Sequence, residues 1–313
     1  MTSVVDSLDN ASSGHSGATV RNVTAELPPI VARTLIGDLK EIVGELRQTR
    51  ELVHQLTLRD IRIRYKQAVF GFAWALLLPL AVVLAGLAVR YAVAFYSGRG
   101  LASGQIAGMV VKAIPWAFFV GCLNVATPCL VANKSLVTKI YFPREVLPLS
   151  AVLAQTFDSL IGGVIILAVL PFLGVTIAVE WLWAPFLLVM LWMFALAAGL
   201  FLSCANIFFR DVKYMVQMFV TFGIFVTPVI MDTNMYGPVG SQIIMLNPLA
   251  PILEGLRLSL IGHENLLVER VSPLGFVTWH PWYLLYIAAW SVGGLLISAI
   301  IFHRSERRFA ELV

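Results

Sequence analysis

Thr57-Leu-Arg-Asp-Ile-Arg-Ile-Arg-Tyr-Lys-Gln-Ala-Val-Phe-Gly-Phe-Ala-Trp74 sets four basic residues, Arg59, Arg62, Arg64 and Lys66, at the threshold of a stretch that carries no further charge until Arg90. Such a cluster resists crossing a bilayer and holds the amino end of the following helix on the cytoplasmic side. The rest of the chain agrees with a membrane setting. Of its 313 residues 59% are hydrophobic and only 13% charged, against about 25% charged in an average soluble domain. A soluble core cannot hide that much apolar surface, so lipid is the solvent for much of the chain. The net charge of +4 comes from basic residues at the edges of apolar runs, which positive-inside topology explains more economically than nucleic acid does. Cys122, Cys129 and Cys204 lie in apolar segments without CxxC spacing, which argues against a disulfide framework or a thiolate metal site. The first thirty residues hold no sustained apolar core, so no cleavable signal peptide is expected.

Residues 1–30, rich in Ser, Ala, Asn, Gly and Thr, read as a disordered cytoplasmic tail, where the sequons at Asn10 and Asn22 carry no meaning. From residue 31 to 66 the pattern changes. Leu35, Leu39, Ile42, Leu46, Val53 and Leu56 recur at helical spacing, with Asp38, Glu41, Glu45, Arg47 and Arg50 on other faces. This stretch is too charged to span and suits an amphipathic helix lying at the interface; a short coiled coil or partner-binding helix is the alternative. Residues 67–313 form the transmembrane domain. Six spans are expected near 69–96, 108–132, 149–173, 181–205, 213–232 and 281–302, each close to the roughly 17–25 residues of a crossing. Lys134, Lys139 and Arg144, then Arg210 and Lys213, then Arg304, Arg307 and Arg308 fall on the side of the amino terminus, which puts both termini in the cytoplasm. Between spans five and six, Ile243–Leu246 and Ala250–Ile261 are apolar but too short to cross. They read as re-entrant or interfacial helices.

Two further cytoplasmic pieces stand out. Asn133–Pro148 has an amphipathic run ending at Pro143, where a helix should break. Its Lys139, Tyr141, Phe142 and Arg144 suit an exposed docking surface, though an ordinary positive turn would read the same way in isolation. Asn206–Lys213 is the second piece.

Together, RDIRIRYKQ at Arg59–Gln67, LVTKIYFPREVLPL at Leu136–Leu149, NIFFRDV at Asn206–Val212 and NPLAPILEGLR at Asn247–Arg257 resemble the membrane subunits of ABC-2 type exporters of lipid-linked polysaccharide, the Wzm-like family of O-antigen, teichoic acid and mycobacterial galactan exporters. The resemblance covers roughly residues 56–312 and implies an all-α fold of six spans. It also implies a homodimer paired with two separately encoded ATPase subunits, which would hold the ATP and Mg. The residues fit that division, since no GxxxxGK[ST] phosphate loop occurs. By resemblance, Lys134, Leu136, Lys139, Tyr141, Phe142, Pro143, Arg144 and Glu145 belong to a helix that couples to the ATPase, and Arg210 and Asp211 to a second, smaller contact. The helix ending near Arg64 would stand beside a lateral portal. Asn247, Pro248, Pro251, Glu254 and Arg257 would belong to an outer gate. The chain departs from the family pattern at Ala68, at Phe70 and at Met231-Asp232, and its amino extension is longer than many relatives carry.

The cargo so implied is a polar glycan on a polyprenyl diphosphate. Arg59, Arg62, Arg64 and Lys66 lie at a depth to attract the diphosphate by charge-assisted bonds, or they serve anchoring alone. Trp116, Phe118, Phe119, Phe222 and Phe225 could line a sugar path, or simply pack as span aromatics do. Asp158 and Arg90 are ionisable groups inside spans and so functional candidates. His263 and His280 show no metal spacing, and no catalytic constellation emerges. The rival readings are an ABC-2 permease for a small hydrophobic drug or lipid, a membrane-embedded glycosyl- or phosphotransferase, and an ion-coupled carrier. The transferase lacks acidic motifs here, and the carrier lacks the internal repeat expected of it.

Overall fold

The computed structural model describes residues 35–66, 74–97, 103–139, 142–272 and 275–312. The expectations placed on residues 1–34, and on Ala68, Phe70 and Tyr141, lie outside the described residues. The chain runs α1 (Leu35–Gln48), α2 (Arg50–Tyr65), α3 (Trp74–Ser97), α4 (Ser103–Ala126), α5 (Cys129–Ala132), α6 (Lys134–Lys139), α7 (Val146–Val169), α8 (Trp183–Phe208), α9 (Val212–Gly223), α10 (Gly237–Met245), α11 (Leu249–Leu260), β1 (Arg270–Val271), β2 (Val277–Trp279), α12 (Trp282–Ala288) and α13 (Gly294–Leu312). Strands β1 and β2 pair antiparallel in a small hairpin, an addition to the all-α expectation. The hairpin is seated by Trp279, whose buried indole N–H donates to the Leu266 carbonyl at 2.9 Å.

Among the described residues, five helical stretches are long and apolar enough to cross a membrane: Pro79–Tyr96, Gly104–Ala126, Val146–Leu173, Val179–Phe208 and Trp282–Glu306. They differ in surroundings. In the α4 stretch 83% of residues are buried inside the chain, against 17% in the α7 stretch. Helix α4 is therefore the inner mast, while α3 and α7 turn much of their apolar surface outward. The last span is continuous through a five-residue π segment, Ala289–Gly293, and its helix runs on to Leu312.

The expected span at 213–232 takes another form. Helix α9 stops at Gly223 after 12 residues, about 18 Å of rise against a hydrocarbon layer of about 30 Å. The chain nevertheless follows α4 over more than half of its length. Lys213 and Tyr214 share a cavity wall with Thr127 and Pro128. A β-carbon on Gly223 would lie 3.0 Å from the Trp116 ring, and Asp232 meets Lys112. Thr227 and Pro228 sit in the irregular half, where the Thr227 hydroxyl donates to the Gly223 carbonyl at 3.0 Å. Irregular backbone at this depth is tolerated because protein encloses it, and Thr227 to Ile230 are buried.

Small residues set the spacing of the inner helices. A β-carbon on Gly199 of α8 would sit 3.0 Å from Ala126 Cβ of α4 and 3.6 Å from Val152 of α7. Close backbone approach of this kind is how helices gain packing where lipid supplies no hydrophobic drive. Gly199→Leu should therefore destabilise the protein by about 1–3 kcal/mol and Gly199→Ala by less. Thermal unfolding in detergent tests this, and equal midpoints for all three proteins would contradict it.

Candidate functional site

At the end of the bundle that carries α5 and α6, Asn133 closes the turn between these helices by donating to the Cys129 carbonyl at 2.8 Å. Its side-chain oxygen accepts from Arg59 of α2 at 3.1 Å. Beyond α6, Arg144 binds the distal end of α13. Its backbone N–H donates to Glu306 Oε1 at 3.0 Å, while its guanidinium donates to the Glu306 carbonyl and to the Val137 carbonyl. Next to it, Glu145 Oε1 lies 3.0 Å from His303 Nδ1. Helix α1 joins the same knot, since Arg304 Nε donates to the buried Asp38 carboxylate at 2.8 Å. The loop is thus braced from both ends of the chain. Lys134, Arg210 and Asp211 are exposed, and Leu136 and Pro143 are half-buried. Phe142 turns inward, only 9% exposed, into the main apolar core, so it anchors the loop instead of presenting the expected docking face. Of Lys139 only the backbone is described.

The four basic residues of α2 separate into distinct environments. Arg59 pairs with Asp60 at 2.8 Å, and Arg62 and Lys66 are exposed. Arg64 pairs with Asp158 of α7, whose other oxygen accepts from the Tyr65 hydroxyl at 2.6 Å. Arg64 also donates to Gln155 Oε1 at 3.0 Å. Asp158 lies twelve residues beyond the first residue of α7, about 18 Å along the axis. The carboxyl end of α2 is therefore drawn against the middle of α7, and a cavity of about 200 Å³ opens beside the pair. Of the four residues, Arg64 is the one held by a carboxylate of α7.

A second ionic cluster stands on the amino-terminal half of α4. Lys112, wholly enclosed, donates to Asp232 Oδ1 at 2.9 Å, and Arg90 Nη2 lies 3.0 Å from Asp232 Oδ2. Arg90 Nε donates to the Ile230 carbonyl at 2.9 Å. Arg257 of α11 lies 3.9 Å from the same Asp232 and bonds Glu254 Oε1 at 3.1 and 2.5 Å. The cluster clamps α11 against α3 and α4, and every residue of α11 except Arg257 is buried. Pro251 lies on this buried helix. Asn247 and Pro248 precede it, and the Asn247 side chain accepts from the Leu249 N–H at 3.2 Å.

Asn247 and Pro248 also border an almost wholly apolar groove of about 640 Å³ between α4, α8 and α9. Trp116 and Phe119 line it. Phe119 stacks on Phe194 of α8 with ring centres 5.4 Å apart. Phe118 is buried away from this groove, and Phe222 and Phe225 are 62% and 67% exposed on the outer side of their segment. Sequence reasoning passed over Lys112, Asp232 as an ion-pair centre, Phe194 and His303. A lysine within an apolar span was signal enough for the first. The others depend on which faces meet, and spacing alone does not reveal that.

A family model for ABC-2 type transporters matches residues 51–261. The chain is similar to an O-antigen export system permease protein RfbA of Klebsiella pneumoniae, 25% identical over 264 residues, 84% of this chain and 95% of that protein. A second Klebsiella pneumoniae protein of the same name is 25% identical over 267 residues, with the same coverage. The RfbA protein of Myxococcus xanthus is 25% identical over 278 residues, 87% of this chain and 99% of its own. With its membrane spans and the match over most of its length, this chain belongs to the ABC-2 type transporter family, as a multi-pass permease and a non-catalytic transport component.

Proposed function

We propose that this chain is the permease of an ATP-driven exporter that carries polyprenyl-diphosphate-linked polysaccharide out of the cytoplasm. It works as a homodimer with two ATPase subunits that bind ATP and Mg, in a plasma or inner membrane with both termini cytoplasmic. The observation that carries the cargo assignment is similarity to three O-antigen export permeases across 95–99% of their length. Residues 212–232 supply the sixth crossing in this reading, which is supported by their course along α4.

Coupling follows from the brace at Arg144. A loop bonded to the end of α13 cannot be pushed by a partner without moving that helix. At the portal, the exposed side chains of Arg62 and Lys66 offer positive charge to a diphosphate at the headgroup level, near the Arg64–Asp158 pair. In the groove, Trp116, Phe119 and Phe194 present flat apolar faces to sugar C–H surfaces or to polyprenyl. The almost wholly apolar character of that groove also favours a second reading, export of a small hydrophobic drug or lipid by the same machinery.

Two outcomes are expected. In the co-purified complex in lipid vesicles, Arg144→Ala should lower cargo-stimulated ATP hydrolysis several-fold by losing charge-assisted bonds of about 1.5–3 kcal/mol each; unchanged stimulation would contradict the coupling role. Asp158→Asn leaves Arg64 without its counter-charge and should cost about 1–3 kcal/mol, below the cost of breaking a fully buried pair because Arg64 is 31% exposed. Adding Arg64→Gln should restore the unfolding midpoint. If Arg64 also meets cargo, glycan export in cells stays low in this double variant; full recovery would reduce Arg64 to a packing role.

A further inference from the structure

We infer that Glu45, Glu145 and His303 form a site for a divalent transition-metal ion, zinc by preference, which fastens α1 and the end of α13 to the loop ahead of α7. The three residues come from separate parts of the chain, yet one ligand atom from each lies within 4.8 Å of the others. Two of the three side chains are enclosed, His303 at 6% and Glu145 at 4% exposed.

The observation pointing to a ligand is the second oxygen of Glu145. Oε1 meets His303 Nδ1 at 3.0 Å, but Oε2 is buried with no hydrogen-bond partner among the described residues. A buried carboxylate oxygen left so is costly unless something positive meets it. Two cations beside it among the described residues are directed elsewhere: Arg144 bonds Glu306, and Arg304 bonds Asp38. Geometry agrees with a metal. Zinc bonds of about 2.0–2.2 Å place tetrahedral ligands about 3.3–3.6 Å apart. The 3.0 Å His303–Glu145 separation is near that value, and the half-buried Glu45 carboxylate lies within 4.8 Å of both. On the other side of the ring, Glu41 Oε2 lies 3.7 Å from Nε2. A metal-bound histidine commonly gives its second N–H to a carboxylate, which fixes the tautomer. One imidazole with two carboxylates suits zinc or manganese; magnesium and calcium favour all-oxygen shells.

A metal here would tie the amino-terminal helix to the coupling loop, a consequence that rests on the function proposed above, although binding itself does not. The test uses the full-length chain in detergent, stripped with chelator and titrated with CoCl₂ and ZnCl₂. Visible Co²⁺ absorption saturating at one ion per protomer, its displacement by Zn²⁺, and a Zn²⁺-dependent rise of several degrees in the unfolding midpoint are expected. His303→Gln and Glu45→Gln should each weaken binding at least tenfold. Glu45 is only half-buried, so its variant keeps the fold and keeps the test decisive. Failure of the wild type to take up Co²⁺ stoichiometrically, or equal uptake by Glu45→Gln and His303→Gln, would overturn the site while leaving the permease assignment untouched.

Discussion

The architecture turns on one enclosed charge. Lys112 lies wholly buried on the innermost span, and an ammonium group in that position is sustained only by an opposite charge in contact with it. Asp232 answers that need, at the end of a segment that runs along α4 from Thr127 past Trp116 to Lys112. Arg90 and Arg257 then gather on the same carboxylate and fix α3 and α11 around it. A single ion-pair requirement thus draws four segments together at one end of the molecule. It also explains why a short, irregular stretch of backbone stands where a regular helix would satisfy the lipid more simply.

The opposite end is organised by hydrogen bonds to helix α13. Arg144 and Glu145, adjacent in sequence, reach Glu306 and His303, and α1 reaches Arg304. Between the two ends, α4, α7 and α8 meet closely at Gly199, while α3 and the outer faces of α7 and α9 carry exposed apolar side chains such as Leu84, Val164 and Phe222. Lipid or a second copy of the chain can cover those faces. A close-packed inner bundle with charged clasps at both ends moves as a unit more readily than it deforms. That is the mechanical property a coupled permease needs.

Much of this was legible in the sequence. Apolar runs and basic edges located the five long spans, and Pro143 marked the break ahead of α7. The proline-bounded pieces after span five do form two short helices, α10 and α11. What was not legible followed from tertiary partners. Apolar content suggested one helix over 213–232, but Thr227-Pro228 and the pull of Lys112 on Asp232 ended it at Gly223. The basic residues clustered at the carboxyl end of α2 looked equivalent until Asp158 singled out Arg64. Phe142 looked like a surface anchor because it stands among Lys139, Tyr141 and Arg144, a mix of aromatic and basic residues that suits an interface, and only the core beneath it shows otherwise. Helical spacing likewise could not tell Phe118, buried, from Phe222, exposed.

The most direct measurement reconstitutes the chain with its ATPase partner in sealed vesicles, ATP sites outward, and supplies a polyprenyl-diphosphate-linked glycan. The account predicts ATP-dependent transfer of the glycan into the lumen, where external glycosidase can no longer reach it, and no transfer with a hydrolysis-deficient partner. Glycan that stays accessible while a small hydrophobic dye accumulates under the same ATP would contradict polysaccharide export and leave the lipid or drug permease in its place.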